Sequence, residues 1–163
     1  MLAAGKPLVM DADALNWLAG ARLRRDDWVL TPHPGEAARL LGCTAAEIQA
    51  DRFSALRRLQ DLYGGTIVLK GAGTLVLGPA RRPPGVCSQG NPGMASGGSG
   101  DVLTGMMAAL LGRGLDPEQA AEAAVCLHAA AGDRAAAEGE QGLLATDLVA
   151  AIRPTLNAAV TRP

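Results

Sequence analysis

The stretch Asn91-Pro-Gly-Met-Ala-Ser-Gly-Gly-Ser-Gly-Asp101 runs directly into Val102-Leu-Thr-Gly-Met-Met-Ala-Ala-Leu-Leu111, an apolar helical segment. Glycine lets a backbone turn tightly and approach a ligand with no Cβ in the way. The start of a helix adds free N–H groups and partial positive charge. Together they predict an anion-binding cradle suited to a phosphate group. Asp101 fits poorly with anion binding alone, because its charge repels phosphate. A carboxylate beside such a cradle has one chemical use, as the base that takes a proton from the group being phosphorylated. It has one structural use, as a helix cap, and the spacing leaves both open. Other glycine loops fail: no G-x-x-x-x-G-K-[ST] occurs, and neither Gly71-Ala-Gly73 nor Gly98-Ser-Gly100 gains the third glycine of a dinucleotide fingerprint. Gly97-Gly-Ser99-Gly-Asp101 departs from a nucleophile elbow at its last position.

Working outward, the chain alternates short apolar runs with helical patterns, which predicts an α/β protein with a mostly parallel sheet flanked by helices. Strands are expected at Pro7–Asp11, Trp28–Thr31, Thr66–Lys70, Thr74–Leu77 and Val86–Ser88. Helices are expected after Ala12, from Gly35 to Leu41, from Thr44 to about Tyr63, after the cradle, from Pro117 to about Ala137, and after Thr146, with Pro154 bending or ending the last. Thr44-Ala-Ala-Glu47 has capping-box spacing. Arg81 to Gly85 reads as a Pro-rich loop. No repeat or linker divides residues 1–163, so one domain is expected. Asp11, Thr31 and Lys70 then fall at carboxyl ends of strands, where open α/β sheets bind ligands.

Composition bounds the partners. The 163 residues are 48% hydrophobic but only 2% aromatic, so the core is aliphatic and Ala-rich. Fifteen basic residues against sixteen acidic give a formal charge of −1, and few aromatics are left to stack on bases; nucleic acid is not an expected partner. Arg22, Arg24, Arg25, Arg81 and Arg82 read as solvated surface. No run reaches the length of a membrane span and no signal-peptide pattern opens the chain, so no membrane partner is expected. Cys43, Cys87 and Cys126 have no metal-ligand spacing and read as reduced thiols of a cytoplasmic protein. His33 and His128 are too few for a histidine metal site, and His128 in its Ala-rich helix reads as a packing residue.

Asp11-Ala-Asp-Ala-Leu-Asn16, Leu30-Thr-Pro-His-Pro-Gly-Glu36, Leu69-Lys-Gly-Ala-Gly-Thr74, the cradle itself and Leu127-His-Ala-Ala-Ala-Gly-Asp133 occur in order. The set resembles the ADP/ATP-dependent NAD(P)H-hydrate dehydratases of the ribokinase-like superfamily over residues 7–150, with Ser99 where many relatives carry Thr. The resemblance implies nucleotide-dependent removal of water from hydrated NADH or NADPH, by phosphorylation of the hydrate hydroxyl and elimination of phosphate. It implies ADP or ATP and Mg2+ as cofactors. Residue by residue, Asp101 would be the base and touch substrate; Gly97, Gly98, Ser99 and Gly100 would form the anion hole, with Gly100 touching nucleotide. Lys70, Gly71, Ala72, Gly73 and Thr74 would form the nucleotide loop. His33 would contact the hydrated dinucleotide, and Glu36 would face Mg2+ through water. Plain roles stand beside these: a solvated strand end for Lys70, a turn for His33 and a dipole-satisfying carboxylate for Glu36; for Asp11 and Asp13 a structural turn, a lysine pairing and substrate binding all stand open. The superfamily also contains small-molecule kinases with the same base logic, and a nucleotide-binding fragment without catalysis is a third reading.

Relatives usually carry more than a hundred residues ahead of the Asp-Ala-Asp-Ala motif. The chain thus reads as the C-terminal portion of the usual domain, with an exposed sheet edge and a homo-oligomeric assembly expected.

Overall fold

The computed structural model describes residues 5–80 and 83–160. Five strands, β1 (Leu8–Met10), β2 (Trp28–Leu30), β3 (Thr66–Leu69), β4 (Thr74–Leu77) and β5 (Gly85–Cys87), form one sheet in that order. β1–β2 and β2–β3 pair parallel, whereas β3–β4 and β4–β5 pair antiparallel. The sheet is therefore mixed, which corrects the expectation of a mostly parallel one. The reason is local: the short turn after Lys70 cannot accommodate a crossover, so β4 must return beside β3. Arg81 and Arg82 lie outside the described residues.

The helices are α1 (Asp13–Ala21), α2 (Pro34–Leu41), α3 (Ala45–Ala50), α4 (Arg52–Tyr63), α5 (Ser99–Gly112), α6 (Pro117–Ala135) and α7 (Ala145–Val160). Alternating strand residues divide them into two layers. Met10, Trp28, Leu30, Ile67, Leu69, Leu75 and Leu77 point to a core shared with α1 to α4. Val29, Val68, Val76 and Cys87 point the other way, against Leu103, Met106 and Met107 of α5 and Ala121, Ala124 and Val125 of α6. The α6 side of the second core is mostly alanine, so these small side chains set the spacing between α6 and the sheet. In the first core the two bulkiest fully buried side chains, Trp28 and Tyr63, each satisfy their polar end. Trp28 Nε1 donates to the Gly64 carbonyl at 3.3 Å and the Tyr63 hydroxyl to the Leu40 carbonyl at 2.9 Å.

Beyond shifts of one or two residues at element ends, sequence-derived boundaries differ in three places. The helix expected from Thr44 to Tyr63 is broken at Asp51, whose φ of −147° and ψ of 84° end α3 and whose carboxylate caps α4 by accepting from Ser54 N at 2.9 Å. α7 continues through Pro154 rather than ending there. It begins at Ala145, with Asp147 reaching back to accept from Leu144 N at 2.9 Å, so Thr146 is not its cap. The Thr44–Glu47 capping box forms as expected, with Glu47 N donating to Thr44 Oγ1 at 3.2 Å and Thr44 N to Glu47 Oε2 at 2.8 Å.

Candidate active site

Three strand ends are tied together at one edge of the sheet. Thr31 N donates to the Met10 carbonyl at 3.1 Å, and Lys70 N donates to the Pro32 carbonyl at 2.9 Å. This ladder brings Asp11, His33 and Lys70 side by side although they are far apart in sequence. Lys70 Nζ sits 2.8 Å from Asp11 Oδ1 and 3.8 Å from Glu36 Oε2. Thr104 of α5 donates its hydroxyl to the second oxygen, Asp11 Oδ2, at 2.7 Å. Burial alone pushes the Asp11 carboxyl up, but its hydrogen bonds to Lys70 and Thr104 outweigh that and hold it below the usual carboxylate range. The lysine pairing that the sequence left open for Asp11 is thus made, and Asp13 is used locally, accepting from Asn16 at 3.2 Å.

His33 and Glu36 form a reciprocal cap at the start of α2. His33 Nδ1 accepts from Gly35 N at 3.0 Å and Glu36 N at 3.4 Å, while Glu36 Oε2 accepts from His33 N at 2.8 Å. Nδ1 acting as acceptor places the ring proton of neutral His33 on Nε2, which lies 3.5 Å from Glu36 Oε1. Histidine is an uncommon cap, which is why this one was not legible from sequence. The ring remains more than half exposed, at 56%, and lines the cleft.

α5 starts as the glycines require. Gly98 adopts φ of +88° as its N-cap, and a Cβ there would stand 3.1 Å from Ala145 Cβ. A Cβ on Gly100 would lie 3.3 Å from Lys70 Nζ, so the ammonium reaches directly against the cradle. Gly97 has open space around it. The N–H groups of Gly100 and Asp101 donate to no group among the described residues, whereas Ser99 N donates to the Ser96 carbonyl at 3.3 Å. The Ser99 hydroxyl faces His128 Nε2 at 3.4 Å, so Ser99 is a wall of the cradle rather than one of its open donors. Asp101 occupies the third position of the helix, exposed, with no hydrogen bond or ion pair among the described residues. The capping role that the sequence allowed it is therefore not taken.

Two side chains of α6, the buried His128 and the exposed Asp133, hold this arrangement from behind. His128 Nε2 lies 3.0 Å from the Ser99 carbonyl and pins the first turn of α5; burial lowers its pKa, so it is a neutral donor. Asp133 accepts from Gly90 N and Asn91 Nδ2, both at 3.1 Å, and anchors the approach to the cradle. Between this loop and the loop after β3 lies a cleft of about 790 Å³, lined by Lys70 through Thr74, His33, Ser99, Gly100 and apolar residues including Leu103, Val125 and Ala129. The oxygens Asn91 Oδ1 and Ser96 Oγ are buried without a partner, and both residues line the same cleft. Thr74 donates its hydroxyl to the Gly71 carbonyl at 3.0 Å, closing the 71–74 loop. Of the residues singled out from the sequence, His33, Lys70 to Thr74, Ser99 and Gly100 line this cleft, whereas Gly97, Gly98, Asp101 and Glu36 are not part of its lining. Sequence reasoning missed Thr104 and Arg52, which carry no motif, and it quoted Asp133 without a role.

A mostly apolar cleft with one polar end, an ammonium and free amides beside an unpaired carboxylate, has the features of a phosphoryl-transfer site. The NAD(P)H-hydrate dehydratase family model matches residues 1–154. The chain belongs to that family. It is 52% identical over 152 residues to a bifunctional NAD(P)H-hydrate repair enzyme of Coxiella burnetii, covering 93% of this chain and 31% of that protein. It is 46% identical over 156 residues to the ADP-dependent (S)-NAD(P)H-hydrate dehydratase of Neisseria meningitidis, covering 91% of this chain and 52% of that one. The ADP/ATP-dependent NAD(P)H-hydrate dehydratase of Bacillus subtilis, co-crystallised with ATP/Mg2+ and soaked with CoA, superposes with a TM-score of 0.80 at 31% identity, over 93% of this chain and 56% of that one. The chain thus spans a third to about half of these family members. The ribokinase-like fold expected from the motifs is the one observed, and kinases with that fold are also structural neighbours. No helix of the described residues is long and apolar enough to cross a membrane.

Residues that would hold a nucleotide fit: paired glycines, open amides and one lysine. Among the described residues no group of three or more His, Cys, Asp or Glu is arranged to hold a metal ion. Glu36 is occupied by His33 and approached by Lys70.

Proposed function

We infer that the chain carries the phosphoryl- and proton-transfer site of a hydro-lyase that restores hydrated NADH or NADPH at the expense of ADP or ATP. The observation that carries this reading is Asp101: a carboxylate with no partner among the described residues, next in the helix to Gly100, where a Cβ would stand 3.3 Å from the Lys70 ammonium. The resemblance supplies the substrate; the geometry supplies the logic. The nucleotide's terminal phosphoryl rests against the amides of Gly100 and Asp101 and the 71–74 loop. Lys70 offsets its charge. Asp101 accepts the proton of the hydrate hydroxyl, whose oxygen forms the new O–P bond as the O–P bond to the nucleotide breaks. Loss of the phosphate together with a proton from the neighbouring ring carbon restores the double bond. Holding the donor amides fixed before reaction is what lowers the barrier, since they need no reorganisation as charge builds. His33, on the cleft wall, touches the dinucleotide.

We assign Mg2+ as the nucleotide's counter-ion, with Glu36 as the residue that would face it through water; no step above passes through it. A cytoplasmic location and a homo-oligomer belong to the same proposal. Self-association is supported by the one-sided pairing of β1 and by exposed Trp17, Val149 and Leu156.

The test is recovery of absorbance at 340 nm from hydrated NADH with ADP or ATP, by this chain alone and mixed with the part of a relative it does not match. Phosphate transfer to a panel of alcohols without any recovery would move the assignment to a small-molecule kinase. Nucleotide binding with neither activity would leave a binding fragment.

A further inference from the structure

Arg52 lies on the far side of the nucleotide loop from the cleft, and three observations converge on it. The break at Asp51 makes Arg52 the first residue of α4, so its side chain reaches back to the loop after β3 rather than along a continuous helix. Its guanidinium donates to the carbonyls of Leu69 at 3.1 Å and Lys70 at 3.3 Å through one terminal nitrogen, and to the Ala72 carbonyl through the other. Among the described residues no carboxylate pairs with it, and its Nε is buried without a partner. A partly buried positive charge held only by backbone carbonyls is unusual, since buried charges are ordinarily paired.

The loop geometry says what the contact does. In a trans peptide the C=O and N–H point in opposite directions. Carbonyls of Lys70 and Ala72 drawn to Arg52 therefore turn the N–H groups of Gly71 and Gly73 away from it. Neither N–H has a partner among the described residues. Both glycines line the cleft. Gly71 holds φ of +138° here, and a Cβ on it would stand 3.2 Å from the guanidinium, so glycine lets the arginine close against the loop. We propose that Arg52 is a positioning residue for nucleotide binding: its three-carbonyl grip aims the Gly71 and Gly73 amides at the phosphates, and its unpaired charge finds its counter-charge in the bound nucleotide.

This rests on the nucleotide-dependent reading above, and the experiment separates the two. ADP and ATP affinities are measured by calorimetry for the wild type, Arg52→Met, Arg52→Lys and the exposed same-helix control Arg57→Met, with amide hydrogen exchange followed over residues 70–74. Partners that orient a ligand-holding group from behind are worth about 10- to 100-fold in affinity. Arg52→Met is expected to weaken nucleotide binding by about that factor and speed exchange at Gly71 and Gly73. Arg52→Lys, with one charge but no fork, is expected to recover only part of the affinity, and Arg57→Met to match wild type. In turnover the nucleotide KM rises while kcat at saturation holds. Wild type that binds nucleotide alongside an Arg52→Met that binds within twofold overturns the role of Arg52 alone; so does unchanged exchange. Wild type that binds neither ADP nor ATP overturns the functional reading and this proposal with it.

Discussion

Replacing Asp11 by Asn removes the acid that holds Lys70 against the cradle. Asp11 and Lys70 side chains are 10% and 19% exposed, so the pair is shielded from water on most sides. Removing one partner of a buried ion pair costs about 3–5 kcal/mol, most of it from the stranded charge. Here the stranded ammonium keeps some access to solvent and a second acid, Glu36, at 3.8 Å, so about 2 kcal/mol is the better figure. For a chain of this size each kcal/mol moves Tm by about 2–4 °C, giving a fall of about 4–8 °C. Because the Asp11 carboxyl is held low in the fold, its stabilisation is present above the unfolded carboxylate value of about 3.9 and is lost as pH drops through the lower folded value. The gap between wild type and Asp11→Asn should therefore be full at pH 7 and close only in acid. Thermal melts at pH 7 and pH 3, run also for Lys70→Met and the double variant, measure it. A double variant equal to the sum of the singles, or an Asp11→Asn within 0.5 °C of wild type, would refute the coupling.

The remaining predictions use other parts of the fold. Gly65→Ala places a Cβ at φ of +64° about 2.6 Å from the Trp28 carbonyl and into its indole, and should cost at least about 3 kcal/mol in chemical denaturation. Thr44→Ala removes the capping-box acceptor of α3 and should cost about 1 kcal/mol, read from the same curves, with nucleotide binding unchanged. His128, buried and neutral, has a lowered pKa, so its contribution is present above the unfolded value of about 6.5 and declines as pH falls from there towards the folded value. Melts of wild type should weaken between pH 7 and 5.5, and His128→Gln, which keeps a donor for the Ser99 carbonyl, should flatten that slope.

The sheet edge was legible because three strands are apolar runs followed by a polar residue, which marked Asp11, Thr31 and Lys70 as its carboxyl edge. The cradle was legible from glycine placement: Gly98 holds a positive φ, a Cβ on Gly100 would stand 3.3 Å from Lys70 Nζ, and Gly97 has open space. Strand direction was readable but misread: the three-residue Gly71-Ala-Gly73 connection already demanded a hairpin. The break at Asp51 was hidden, because Asp within an amphipathic run resembles an ordinary helical residue until tertiary packing selects its capping conformation. Arg52 and Thr104 were invisible for a related reason. Their partners are backbone carbonyls and an acid from a distant segment, and no spacing in a single sequence encodes such a meeting.

The central claim is that Asp101 is the base. The most direct measurement is the 340 nm recovery rate of Asp101→Asn beside its ADP and ATP affinities. A loss of at least about 100-fold in turnover with nucleotide affinity within about threefold is the expected result for a general base that has no structural bond to lose. Turnover that survives the change, or a variant that loses nucleotide binding in step with activity, would contradict it.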